Sequence, residues 1–173
     1  MADSRRRPGS ARTRGVVISA ASLLLALTLA GCESDKVPID SPTPGSDAQA
    51  TRCRALLDAL PDTVFHELRR SVDPEDALGA AWGDPAITLT CGGDMPSGFD
   101  RFSTCEVADG VGWYADEDEA TDQSLDATLT TVGYEPVVSV RLPATYRPEG
   151  IASTMVALAP AIKRHLRLVE PCV

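Results

Sequence analysis

Cys32 is the residue whose surroundings point most clearly to a chemistry. It closes Leu29-Ala30-Gly31-Cys32, at the end of an apolar run from about Val16. Arg5, Arg6, Arg7, Arg12 and Arg14 precede that run, against a single Asp3. A cationic start, an apolar stretch too short for a ~30 Å hydrocarbon core and small residues at the end make a secretory leader. A cysteine directly after Ala30-Gly31 is the pattern of a bacterial lipobox. The chemistry expected is lipidation of the Cys32 sulfur, palmitate among the chains, and cleavage just before it. Two or three chains give a durable anchor, because each buried CH₂ contributes ~0.8 kcal/mol. Residues 1–31 are therefore expected to be a lipoprotein signal peptide, and the protein to sit on the extracytoplasmic face of the cell membrane. Ser4-Arg5-Arg6 raises twin-arginine export. Arg7, Pro8 and Gly9 follow where that signal wants apolar residues, which favours the general secretory route.

Four further cysteines remain: Cys53, Cys91, Cys105 and Cys172. An even number in an exported domain points to two disulfides. There is no C-x-x-C, and the spacings are wide, so metal or redox chemistry is not indicated. Of the three pairings, Cys91–Cys105 with Cys53–Cys172 is the one expected, tying a strand to the next hairpin and the first helix to the tail.

Other constellations were weighed for chemistry. The two histidines, His66 and His165, lie in an irregular stretch and beside Lys163-Arg164. A hydrolase triad would need one of them buried beside a nucleophile. Ser97-Gly98 lies in an acidic loop, and no G-x-S-x-G is present. Asp116-Glu117-Asp118-Glu119, with Asp122 and Asp126, is the densest acidic run. A Ca²⁺ loop of the EF-hand kind needs glycine at its sixth position and glutamate at its twelfth. Thr121 and Ala127 stand there, so a solvated loop is expected and no metal or other cofactor is called for. The most distinctive local runs are aromatic: Trp82-Gly83-Asp84-Pro85 and Gly112-Trp113-Tyr114. They read either as core anchors or as a stacking groove of Trp82, Trp113 and Tyr114, with Asp84, Arg141 and Tyr146 at its edge. Arg141, alone in an apolar strand, could meet a carboxylate ligand or pair with Glu106 or Asp84.

The elements that must position these residues follow from periodicity. Glu33 to about Ala50 is polar, with three prolines, and reads as a flexible tether. Cys53, Leu56, Leu57 and Leu60 share a helix face, ended by Pro61-Asp62. Phe65 to Ala77 has no clear period, and Asp76 to Trp82 reads as a short helix or an extended entry. Ile87, Leu89 and Cys91 alternate with threonines, as a half-buried strand does. Asp109-Gly110 joins two strand-like runs and predicts a type I′ hairpin with Ala108 opposite Val111 and Glu106 opposite Trp113. Leu125 to Val132 and Val138 to Leu142 alternate again. A last helix opens at Pro148, with Ile151, Met155, Leu158 and Ile162 inward and a kink or split at Pro160. The expected fold is α+β: an antiparallel sheet of four to five strands, with an N-terminal and a C-terminal helix packed on one face. Residues 32–50 would be the lipidated cysteine and tether, and 51–173 a single extracytoplasmic domain.

Charge narrows the partners. Residues 1–31 hold five of the 16 basic residues and one of the 25 acidic ones, leaving 11 basic against 24 acidic, a net of −13. That argues against nucleic acid as a partner and against lying flat on anionic lipid.

The runs 77–92, Cys105 to Tyr114 and 131–150 resemble a family of actinobacterial exported lipoproteins known as a domain of unknown function. The resemblance spans about residues 51–170, through the Trp-Gly-Asp-Pro turn, the Gly-Val-Gly-Trp hairpin and the Tyr-Arg-Pro helix entry. It implies an envelope location and one domain, and it carries no catalytic residues. The expectation is a membrane-anchored binding or accessory module, non-enzymatic, whose partner is an envelope protein or a wall component. The alternative is an envelope hydrolase working through Asp84, His66 or the acidic loop.

Overall fold

The computed structural model describes residues 35–172. The expected signal peptide and Cys32 lie outside the described residues. Among those described, no helix is long and apolar enough to cross a membrane.

The chain runs through β1 (Val37–Pro38), α1 (Asp47–Asp58), β2 (Thr63–Val64), β3 (Glu67–Arg70), β4 (Val72–Asp73), β5 (Gly79–Trp82) and β6 (Ile87–Gly93). It continues with β7 (Glu106–Ala108), β8 (Val111–Tyr114), α2 (Glu117–Thr121), β9 (Ala127–Val132), β10 (Tyr134–Glu135) and β11 (Val137–Leu142). A 3-10 turn at Ala144–Tyr146, α3 (Glu149–His165) and β12 (Arg167–Leu168) complete it. Eight strands form one antiparallel sheet in the order β2-β3-β5-β6-β11-β9-β8-β7. Two small sheets pair β1 with β4 and β10 with β12.

This corrects the expected fold. The domain is mostly β, with an eight-stranded sheet and few helices, rather than four to five strands flanked by helices. The missed strands lack the alternation that marks a strand. β5 is Gly-Ala-Ala-Trp, buried on both faces, and its alanines read as helix formers. β3 is Glu-Leu-Arg-Arg, near the sheet edge, with Leu68 71% exposed. The β2–β3 turn is Phe65-His66, both with positive φ (46° and 67°). Two bulky residues hold the conformation that Asn-Gly usually supplies, so no turn signal was present.

The central strands follow the expected alternation. Register places Trp82, Ile87, Leu89, Cys91, Val138, Val140, Leu142, Ala127, Leu129, Val111 and Trp113 on one face. All are buried, and α1 and α3 pack over them with Cys53, Leu56, Met155, Leu158 and Ile162. Thr88, Thr90, Thr128, Ser139 and Arg141 occupy the other face. The Asp109-Gly110 turn has φ of 44° and 76°, and Ala108 and Glu106 face Val111 and Trp113 as the dipeptide predicted. Leu125 lies outside β9 and is exposed. α3 passes Pro160 as one helix rather than two.

Residues 35–50, expected as tether, lie against the domain. β1 pairs with β4, and the Val37 and Ile39 amides donate to the Ser71 and Asp73 carbonyls at 2.8 and 2.9 Å. Ile39 is buried against Ala77 and Ala81. Asp35 accepts from Arg70, whose guanidinium also donates to the Gly83 carbonyl. α1 then starts at Asp47, with the Ser46 Oγ accepting from the Gln49 amide. Arg69 donates to the Leu57 and Leu60 carbonyls, where the helix dipole is negative. The compact unit therefore begins at Asp35, with its core and both disulfides inside it.

Two disulfides are present, and their pairing differs from the one expected. They are Cys53–Cys91 and Cys105–Cys172. Cys91 sits on β6 and Cys105 just before β7. β11, β9 and β8, later in the chain, stand between those strands. Four strand spacings make ~19 Å, far beyond the reach of a disulfide.

Candidate functional site

The expected aromatic groove is not assembled. Trp82 is fully buried; its Nε1–H donates to the Pro61 carbonyl at 3.0 Å, and Arg69 lies over its ring. Tyr146 is near it, its hydroxyl donating to the Pro85 carbonyl at 2.8 Å. Burial raises the Tyr146 phenol above its ordinary range, and the Glu67 and Asp84 charges add to this. Asp84 is exposed at the β5–β6 turn. Trp113 and Tyr114 belong to β8, four strands from β5. Arg141 points from the opposite sheet face and pairs with Asp126. Trp82, Asp84 and Tyr146 thus cluster at one end of the sheet, Trp113 and Tyr114 at the other, and Arg141 with neither.

The main cleft lies at the second end. It encloses about 840 Å³ between β7, β8, β9, α2, the first half of α3 and the loop 98–105. Trp113, Ala127, Leu129, Ile151 and Met155 supply apolar walls. Asp100, Glu106, Glu117 and Glu119 line it with carboxylates, and among the described residues no lysine or arginine does.

Local chemistry explains each placement. The hairpin register sets Glu106 beside Trp113. Asp100 organises the loop: its Oδ1 accepts from the Phe102 amide at 2.8 Å, and its amide donates to the Ser103 Oγ at 2.8 Å. Phe102 is left 79% exposed at the rim. Phe99 meets Tyr114 edge-on at 5.2 Å, closing the loop against β8. Tyr114 donates to Asp116 at 2.7 Å. That bond comes first in holding the Tyr114 phenol above its ordinary range, followed by burial and the charges of Asp116, Asp100 and Glu119. Glu119 Oε2 accepts from the Thr128 amide at 2.7 Å, docking α2 on β9.

One cleft-lining residue carries an unpaired polar group. Trp113 is 2% exposed, and its Nε1–H, closed to solvent, meets no acceptor among the described residues. Trp82, equally buried, has its acceptor supplied by the protein. A buried donor left unpaired is uncommon and costs about 1–3 kcal/mol.

The acidic run does not converge. Asp116 and Glu119 serve Tyr114 and Thr128, Asp122 accepts from Ser124, and Asp126 serves Arg141 and the Ala144 amide. Among the described residues, no group of three or more His, Cys, Asp or Glu side chains is placed to hold a metal ion. His66 lies in the β2–β3 turn and His165 in the last turn of α3, and neither lines the cleft. Sequence reasoning missed Asp100, Phe102, Ile151 and Met155 as cleft residues. The exposed phenylalanine in an acidic loop was the one signal available.

No curated protein and no solved structure matches the chain. A family model described as a protein of unknown function, DUF3515, matches residues 14–170. The chain belongs to the DUF3515 family.

Proposed function

We propose that this chain is an exported actinobacterial lipoprotein, anchored through Cys32, whose domain binds an envelope ligand in the cleft beside Trp113. The leader, the lipobox and two disulfides fit an oxidising, extracytoplasmic setting. The cleft carries the binding reading: apolar walls and a carboxylate rim in one place. Concave sites of this size that combine apolar walls with convergent polar groups are where ligands bind. The distance of both histidines from the cleft favours binding over the hydrolase alternative.

Two experiments test this reading. Intact mass of the membrane-extracted protein should show a chain beginning at an acylated Cys32, and Cys32→Ala should leave the membrane fraction. A chain retaining residues 1–31, or one without lipid, contradicts the anchor. For the cleft, the oxidised domain is screened by thermal shift against muropeptides, lipid micelles and basic peptides. A ligand at ~100 times its dissociation constant adds ~2.7 kcal/mol, about 9 °C for about 140 residues. Ala120→Trp, which fills the cleft from its exposed rim, should abolish the shift. A flat screen from folded protein contradicts the binding reading.

A further inference from the structure

The binding reading leaves the ligand's chemistry open, and the cleft specifies it further. Four carboxylates line it, and Glu106 and Glu117 are without a cationic side chain: the ion pairs among the described residues involve other acids. A ligand that satisfies them carries positive charge. The walls contributed by Leu129, Ile151 and Met155 call for apolar groups on the same ligand. Trp113 also lines the cleft, and its aromatic ring calls for a group that packs on it.

The sheet adds a fourth requirement. β7 is the last strand of the sheet, and among the described residues its outer edge has no neighbouring strand. Cys105 and Glu106, where β7 begins, line the cleft, and Val107 is 59% exposed. An extended segment leaving the cleft along this edge would find backbone donors and acceptors waiting. Peptides supply carbonyls, apolar side chains and ammonium or guanidinium groups at strand spacing.

We infer that the cleft takes an extended peptide segment bearing lysine or arginine beside apolar residues, with the cation between Glu106 and Glu117. This rests on the cleft being a binding site at all. The order of association follows from the charges: a net-acidic domain draws the basic segment in, and the apolar walls hold it.

The test titrates the oxidised domain by calorimetry with capped tetrapeptides: Leu-Lys-Val-Lys, Leu-Gln-Val-Gln and Leu-Glu-Val-Glu. n-Hexylammonium serves as the non-peptide cation. The lysine peptide should bind on the order of tenfold tighter than the glutamine peptide, and the glutamate peptide weakest. Its affinity should fall several-fold when salt rises from ~10 mM to ~1 M, where the Debye length shrinks from ~30 to ~3 Å. Glu106→Gln with Glu117→Gln should weaken it by ~2–30-fold, the range for two rim ion pairs, with melting unchanged. Equal binding of lysine and glutamine peptides overturns the charge selection. Binding of hexylammonium without any peptide overturns the peptide assignment and leaves the cleft reading standing. Silence from all four probes overturns this inference. If the muropeptide and lipid arms of the thermal screen are then also flat, the cleft reading falls with it.

Discussion

The Cys53–Cys91 bond fastens α1 to the middle of the sheet, and its removal has a calculable consequence. Both cysteines are fully buried, with Cα atoms 5.6 Å apart, and the bond closes a separation of 38 residues. Chain-entropy arguments assign ~3.9 kcal/mol to a loop of that size. Cys53→Ala with Cys91→Ala also empties the space of two buried sulfurs, adding about 1–2 kcal/mol. Unfolding entropy near 2.1 cal/mol/K per residue over about 140 residues makes each kcal/mol worth about 3.4 °C. The double variant should therefore melt about 17–20 °C below the parent, read by calorimetry without reductant. A drop under about 5 °C would refute the reasoning: α1 would then be held by packing alone, and the bond would add little.

The remaining predictions concern backbone and titration. Gly133 has a φ of 74°, and a Cβ there would overlap the Glu170 carbonyl, so Gly133→Ala should cost at least ~2 kcal/mol in urea denaturation; an unchanged midpoint contradicts this. His66→Gly relieves a φ of 67° at an exposed turn and should raise stability by ~0.5–1 kcal/mol. A loss of stability there would show that the imidazole contributes a contact. The phenols of Tyr114 and Tyr146 are both held above their ordinary range. The unfolded chain then releases these protons first, so this contribution is full below pH ~10 and is lost as pH rises through the folded-state values. Tyr146→Phe should flatten the alkaline fall in a melting-versus-pH series, and an identical slope would contradict the linkage.

Legibility in the sequence tracked how local each determinant was. Asp109-Gly110 encodes its own turn, so the β7–β8 register was readable residue by residue. The alternations of β6 and β11 reflect one buried face each and were equally plain. β2, β3 and β5 carry no alternation, because one pair sits at the edge and the third is buried on both sides. Disulfide pairing failed for a topological reason: β11, β9 and β8 insert between β6 and β7, which no local pattern announces. Residues 35–44 read as tether because their hold on the domain is backbone pairing with β4 and scattered apolar contacts, Ile39 buried and Val37 beside it, with no periodicity to announce them. Trp82 and Trp113 were singled out by type, but strand order decides that they lie at opposite ends. The acids of the cleft come from three separate segments, the loop 98–105, β7 and α2, and only the fold brings them to one rim.

The Trp113 indole proton tests the central claim most directly. The chain has two tryptophans: Trp113 lines the cleft, and Trp82, four strands away, donates to Pro61. Nitrogen-15 correlation spectra of the oxidised domain therefore show two indole signals, one of them an internal control. Titration with the Leu-Lys-Val-Lys peptide should move the Trp113 signal, because its ring lines the cleft, and leave Trp82 in place. A Trp113 signal unmoved at saturating peptide, or a shift confined to Trp82, would contradict the account.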